Sequence, residues 1–177
     1  MANYVKNRLT INGTKEEIRE VKEFLKSEDR AIDFNKITPT PKWVFQGNIS
    51  FVEKEKYGAE NCWYQWNLNN WGTKWNAYET KEYENVIEFT TAWNGVPKLM
   101  SKLALIFHDI ELKYQYADEK MGYNVGSYIF KGTEIKKETI MNQSKEAYEL
   151  YLDLWECRDE YKYNPTTKKY EYIEEEE

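Results

Sequence analysis

Histidine is almost missing from this chain: His108 stands alone among 177 residues. Thiols are nearly as scarce, with only Cys62 and Cys157. No His/Cys cluster therefore exists to complete a metal site, and no second histidine to complete a thiol dyad. His108 itself, at the predicted end of a helix beside Asp109, reads as a structural residue. The two cysteines fall in different predicted elements without a pairing motif, which predicts reduced, buried thiols rather than a disulfide. Carboxylates are plentiful, but their spacing singles out no acid/base pair, and no phosphate-cradling glycine loop is present. The expectation is a protein that is not an enzyme and carries no cofactor.

Long apolar runs are also lacking. None approaches the roughly 18 residues needed to span a bilayer, and Met1 leads straight into a strand pattern without a signal-peptide core. This predicts no membrane partner and a location in the host cytoplasm. Basic charge is in deficit: 25 Lys and Arg stand against 31 Asp and Glu, for a net charge of -6 and a pI near 5.1. A nonspecific grip on phosphate backbones needs the opposite balance, so direct nucleic-acid binding is disfavoured. Part of the negative excess is the closing run at residues 174–177, read as a solvated tail.

What the chain has in abundance is rings. Aromatic residues make up 16% of the sequence, enough to place much of the core area of a one-domain chain in Tyr and Trp rather than in aliphatics. They are densest over residues 62–75, where Trp63, Tyr64, Trp66, Trp71 and Trp75 are interleaved with amides, Thr73 and Lys74. A short helical pattern stopped by Gly72, followed by alternation from Thr73 onward, predicts a helix end feeding a strand.

Taken in order, residues 3–11 read as a strand with Tyr4, Leu9 and Ile11 alternating, closed by Asn12-Gly13. Thr14-Lys15-Glu16-Glu17 is a capping box opening a helix that buries Ile18, Val21, Phe24 and Leu25. Residues 34–41 read as extended and broken by two prolines, and residues 42–57 as an irregular insertion anchored by Trp43, Val44, Phe45 and Phe51. Strands are predicted over 73–81 and 85–93. A helix follows with Pro97 in its first turn and Leu99, Met100, Leu103, Ile106 and Phe107 as its buried face. A strand at 111–116 shows Leu112, Tyr114 and Tyr116 on one side, a loop follows at 118–122, and strands are predicted over 124–131 and 133–140. A one-sided helix begins at Ser144, and residues 160–173 form a tyrosine-rich hairpin turning at Asn164-Pro165. The order is βαββαβ plus a hairpin, which predicts an α+β, ferredoxin-like antiparallel sheet with two helices on one face. The predicted domain covers residues 1–140 with an insertion at about 28–70; residues 141–177 add a C-terminal helix and an acidic Tyr/Glu-rich tail.

The segments Asn7-Arg8-Leu9-Thr10, Phe34-Asn35-Lys36-Ile37 with its prolines, Trp63-Tyr64, Asn70-Trp71-Gly72-Thr73-Lys74-Trp75, Thr91-Ala92-Trp93 and Met121-Gly122 together resemble YubB-type ferredoxin-like domain proteins of phages and plasmids. The likeness spans about residues 3 to 132. It implies this fold and a mobile-element origin, and carries no settled activity.

Two readings of the ring cluster follow. Trp63, Trp66, Trp71, Trp75 and Trp93, with Thr73, Lys74, Thr91, Tyr116, Asp118 and Met121, form a pocket for a flat ligand such as a nucleotide; or the same rings cap the core between sheet and insertion. Base stacking on the strand aromatics Tyr114, Tyr116, Tyr128 and Phe130, as in RNA-binding sheets, is disfavoured by the acidic balance. The leading functional expectation is a noncatalytic phage or mobile-element protein that binds a host protein. Its expected target is a bacterial defence system of CRISPR-like type or a nucleic-acid-processing enzyme, with the segment 161–177 imitating nucleic-acid charge. The alternative is sequestration of a nucleotide signal.

Overall fold

A computed structural model describes residues 2–173. Strand β1 (Tyr4–Asn12) runs through the middle of a six-stranded sheet ordered β2-β3-β1-β4-β5-β6, with β2 at Tyr78–Tyr83, β3 at Val86–Ala92, β4 at Glu111–Asp118, β5 at Val125–Lys131 and β6 at Glu134–Lys137. Every neighbouring pair is antiparallel. The first four strands in this spatial order are the ferredoxin-like arrangement, and the hairpin β5-β6 widens it on the β4 side. Both edges are solvated: β6 is exposed at all four residues Glu134-Ile135-Lys136-Lys137, and β2 carries Glu79, Lys81 and Glu82. Charges placed this way discourage edge-to-edge pairing.

Helices α1 (Lys15–Leu25) and α5 (Pro97–Ile106) cover one face. The expected capping box opens α1: the Glu17 amide donates to Thr14 Oγ1 at 3.3 Å and the Thr14 amide to Glu17 Oε2 at 2.7 Å. Val21 and Leu25 from α1, and Leu99, Met100, Leu103 and Ala104 from α5, pack on Leu9, Ile11, Ile87, Phe89, Leu112 and Phe130. Ile106, expected in that face, is 45% exposed, because α5 ends there and Ala104 completes the stripe instead. In β1 the inward residues are Val5, Asn7, Leu9 and Ile11, while Tyr4 is exposed. Counting back by two from Ile11 reaches Asn7 and Val5, so the face includes a buried amide that hydrophobicity alone passes over.

Helix α6 (Lys145–Leu154) takes the other face, packing Leu150 and Leu154 against Ala117 with Val125 and Trp155 beside them. Arg8 on this face pairs with Glu88 at 2.7 Å and with Asp153 of α6 at 2.5 Å. Burying Leu150, Leu152 and Leu154 contributes about 1.5–3 kcal/mol per side chain, so the C-terminal segment is part of the packed body. The final hairpin, β7 (Tyr161–Asn164) with β8 (Lys169–Tyr172), docks on α6 through Tyr148 and Tyr170, with ring centroids 6.1 Å apart. The acidic run at 174–177 lies outside the described residues.

Between α1 and β2 the chain forms three short α-helices, α2 (Phe34–Ile37), α3 (Phe51–Tyr57) and α4 (Trp63–Asn70), with a 3₁₀ turn at Ala59–Asn61. The extended reading of residues 34–37 gives way to a helical turn, because Asp33 caps it through the Asn35 amide at 2.9 Å and the prolines come only after Thr38. Helix α3 carries its own capping box from Ser50 and Glu53. Gly72, at φ 83°, takes the left-handed position after α4, as expected. Residues 73–77 do not form the expected strand start: β2 begins at Tyr78. Side chains take the ladder's place there, with Asn67 Nδ2 donating to the Lys74 carbonyl at 2.8 Å and Asn76 Oδ1 accepting from the Phe34 amide at 2.9 Å.

Candidate functional site

The candidate residues divide into three groups. Trp66 and Trp71 are 6% and 5% exposed and belong to the core. Trp71 meets Phe34 and Trp66 edge-on at 5.8 and 5.5 Å, and its indole N–H donates to the Thr38 carbonyl at 2.9 Å. These two rings seat the insertion on the platform, the core-capping alternative of the two readings.

The second group surrounds Lys74. Its ammonium lies 4.7 Å from the Trp75 ring centroid, 5.3 Å from Trp93 and 5.9 Å from Tyr64, within reach of all three π faces. Trp93 adopts φ 69°, an unusual conformation for a bulky residue. Two hydrogen bonds hold it there: its amide donates to the Asn3 carbonyl at 2.8 Å, and its carbonyl accepts from Asn124 Nδ2 at 2.8 Å. Thr73 fastens the approach, because its hydroxyl donates to the Ala92 carbonyl at 2.9 Å and accepts from the Ala92 amide at 3.0 Å. One threonine side chain thus substitutes for a strand partner at the end of β3.

The third group is structural. Thr91 Oγ1 accepts from Asn7 Nδ2 at 2.9 Å and donates to the Asn94 carbonyl at 2.7 Å. The Tyr114 hydroxyl, fully buried, donates to Asn7 Oδ1 at 2.6 Å and accepts from the Val96 amide at 2.6 Å. This network, which the sequence reading missed, ties the start of α5 to the sheet. Tyr116 lies against Gly95 and Gly126, where an added Cβ would run into its ring. Asp118 accepts from the Lys120 amide at 2.9 Å and from Asn124 Nδ2 at 3.0 Å, closing the β4-β5 turn. Met121 sits in that turn, in none of the aromatic contacts around Lys74. Tyr114 and Phe130 are buried under α5 and Tyr128 is half-buried beside them, so these strand rings offer no open stacking face.

Burial keeps the Tyr114 phenol well above the ordinary tyrosine range, and burial together with the neighbouring Tyr128 hydroxyl pushes Tyr116 up to about 12. Both folded values exceed the ordinary 10.0, so the neutral phenols stabilise the fold. That contribution is complete below about pH 10 and is lost as the pH rises from there through the folded values. Urea midpoints should therefore stay level from neutral pH up to about pH 10 and drop above it. A drop beginning well below that pH would show that some other group controls alkaline unfolding.

An open cleft of about 640 Å³ lies between loop 46–49 of the insertion and the first turn of α4. Of the candidates, only Trp63 and Lys74 line it; Gln46, Asn48, Lys54 and Tyr64 are among the others that do. The Trp63 indole N–H donates to the Gly47 carbonyl at 3.1 Å, which fixes the loop against the helix. Lys54 and the loop amides carried no sequence signal, because only the fold of the insertion brings them to α4. Among the described residues no group of three or more His, Cys, Asp or Glu side chains could hold a metal ion. No helix there is long and apolar enough to cross a membrane. His108 and Asp109 pair at 3.0 Å in an exposed turn after α5.

The protein api92 from Yersinia pseudotuberculosis, known from a crystal structure, is 9% identical over 78% of this chain and 99% of its own, with a TM-score of 0.46. No curated protein matches the chain. A family model described as the ferredoxin-like domain in Api92-like protein matches residues 70–164, more than half of the 177 residues. That span takes in β2 to β6, α5, α6 and the first strand of the final hairpin, and the chain accordingly belongs to the family of ferredoxin-like domains found in Api92-like proteins.

Proposed function

We propose that the chain is a noncatalytic binding protein of a phage or other mobile element, acting by occupying a host defence protein or a nucleic-acid-processing enzyme. The observation that carries this reading is the surface of the insertion. Of the expected anchors Val44 is buried, but Trp43 and Phe51 are 62% and 73% exposed, as is Val52 at 64%, and α3 buries none of its residues. Large apolar groups left in water on one inserted segment are the composition of a protein-binding hot spot. The net charge of -6 favours a basic partner face. The mobile-element origin rests on the motif resemblance described above.

The test is capture from host lysate with the full chain and with Trp43→Ala/Phe51→Ala, whose exposed positions leave the core untouched. The intact chain should retain a specific nucleic-acid-handling or defence protein and inhibit it once purified, and the double variant should lose both effects. Equal retention by the two chains, or no inhibition by either, would remove this reading.

A further inference from the structure

We propose that the cleft between loop 46–49 and α4 is a binding site for a small nucleotide, with a base set against Trp63 and Tyr64 and its phosphates on Lys54 and Lys74. This assignment uses other side chains of the insertion than the host-protein surface at Trp43, Phe51 and Val52, and of the cluster expected from the sequence it keeps only Trp63 and Lys74. A volume near 640 Å³ falls in the range of about 300–1,000 Å³ typical of small-molecule sites.

Charge is the stronger argument. Acidic residues outnumber basic ones by 31 to 25 in this chain, yet among the described residues no carboxylate lines the cleft while two lysines do. Neither ammonium forms an ion pair among the described residues. Lys74 meets only ring faces, and a cation held over π faces keeps N–H donors free for an anion. Lys54 is exposed on α3, which buries none of its residues, so its side chain can turn toward a phosphate at little cost. Both lysines are local exceptions to the surrounding field, and a focused positive site in an acidic protein selects small anions over long polyanions.

The remaining lining suits a base. Tyr64 stands edge-on to both Trp63 and Trp93, at 5.8 and 6.1 Å, so its ring is fixed before a ligand arrives and stacking on it costs little ordering. Gln46 and Asn48 bring carboxamides, which both donate and accept, to the same wall. Cys62 gives α4 no side-chain cap, and although the Trp63 amide is taken by the Phe45 carbonyl at 2.9 Å, the positive end of the helix still faces a cleft carrying two lysines.

The experiment is isothermal titration of the full-length protein with ATP, AMP, a cyclic dinucleotide, inorganic phosphate and a single-stranded oligonucleotide, with tryptophan fluorescence followed in parallel. At least one free nucleotide should bind saturably with quenching, and phosphate alone far more weakly. Lys54→Ala and Lys74→Ala should each weaken that binding about tenfold, as expected for loss of one charge-assisted contact. Lys54→Ala is the safer variant, because its side chain lies on an exposed helix, and unchanged circular dichroism establishes that it folds. Absence of saturable binding by any free nucleotide at millimolar concentration would overturn the proposal, as would undiminished affinity in Lys54→Ala or preference for the oligonucleotide. Trp43→Ala/Phe51→Ala should bind nucleotide normally, so failure of the host-protein reading and failure of this one are distinguishable.

Discussion

Asn7→Ala should destabilise the protein by about 2–4 kcal/mol, the cost of leaving one or two buried polar groups without partners. The carboxamide is 1% exposed in the central strand. Its Nδ2 donates to the Val5 carbonyl at 2.8 Å, the Phe89 carbonyl at 3.3 Å and Thr91 Oγ1 at 2.9 Å, and its Oδ1 accepts from the Tyr114 hydroxyl at 2.6 Å. Alanine removes all of these and leaves a small void. Thr91 keeps its bond to the Asn94 carbonyl and Tyr114 still accepts from Val96, so the loss is bounded by the hydroxyl proton of Tyr114 and the carbonyls left in β1 and β3. Tyr114→Phe attacks the same network from β4, stranding the Val96 amide and Asn7 Oδ1. Since both substitutions remove one shared bond, the double variant should lose less than the sum of the single losses. Urea denaturation of the four chains measures this. Additive losses, or a loss below about 1 kcal/mol for Asn7→Ala, would show that the network does not hold α5 to the sheet.

Trp71→Ala should cost about 3–5 kcal/mol, the range for emptying a buried aromatic site. The indole is 5% exposed, its N–H is bonded to Thr38, and it contacts Phe34 of α2 and Trp66 of α4. Its loss opens a cavity where the insertion meets the platform, and neither short helix has the length to hold its place unaided. Trp75→Ala should cost about 1 kcal/mol or less, because that ring is only half-buried and packs on Tyr78 and Lys74. Equal costs for the two substitutions would mean that the cluster does not divide into core and cage as described. Nucleotide affinity supplies an independent axis: Trp75→Ala bears on the Lys74 cage and should alter it, whereas a Trp71→Ala effect would run through the insertion as a whole.

Much of the fold was legible because its signals are local. Thr14 with Glu17, Gly72, Pro97 and Ser144 each report a backbone requirement met within a few residues, and each occupies the expected place in its helix. The strand order followed from element order, since an antiparallel sheet with two covering helices leaves few connections open. Helix α2 escaped notice because its cap, Asp33, is itself fixed by Asn76 from far along the chain, at 2.7 Å. The start of β2 was misread because Thr73 and Asn67 satisfy backbone groups that alternation alone assigns to a ladder. Asn7 was passed over because a polar residue on a core face makes sense only once Tyr114 and Thr91 are beside it.

The residues alone specified the βαββαβ frame, the caps of α1 and α6 and the concentration of indoles ahead of β2, all consequences of spacing and backbone chemistry along one stretch of chain. It took the tertiary structure to settle which indoles are core and which surround Lys74, which face α6 covers, and that Lys54 lines one cleft with the first turn of α4. Those outcomes depend on residues far apart in sequence becoming neighbours, and burial and charge pairing act on neighbours in space.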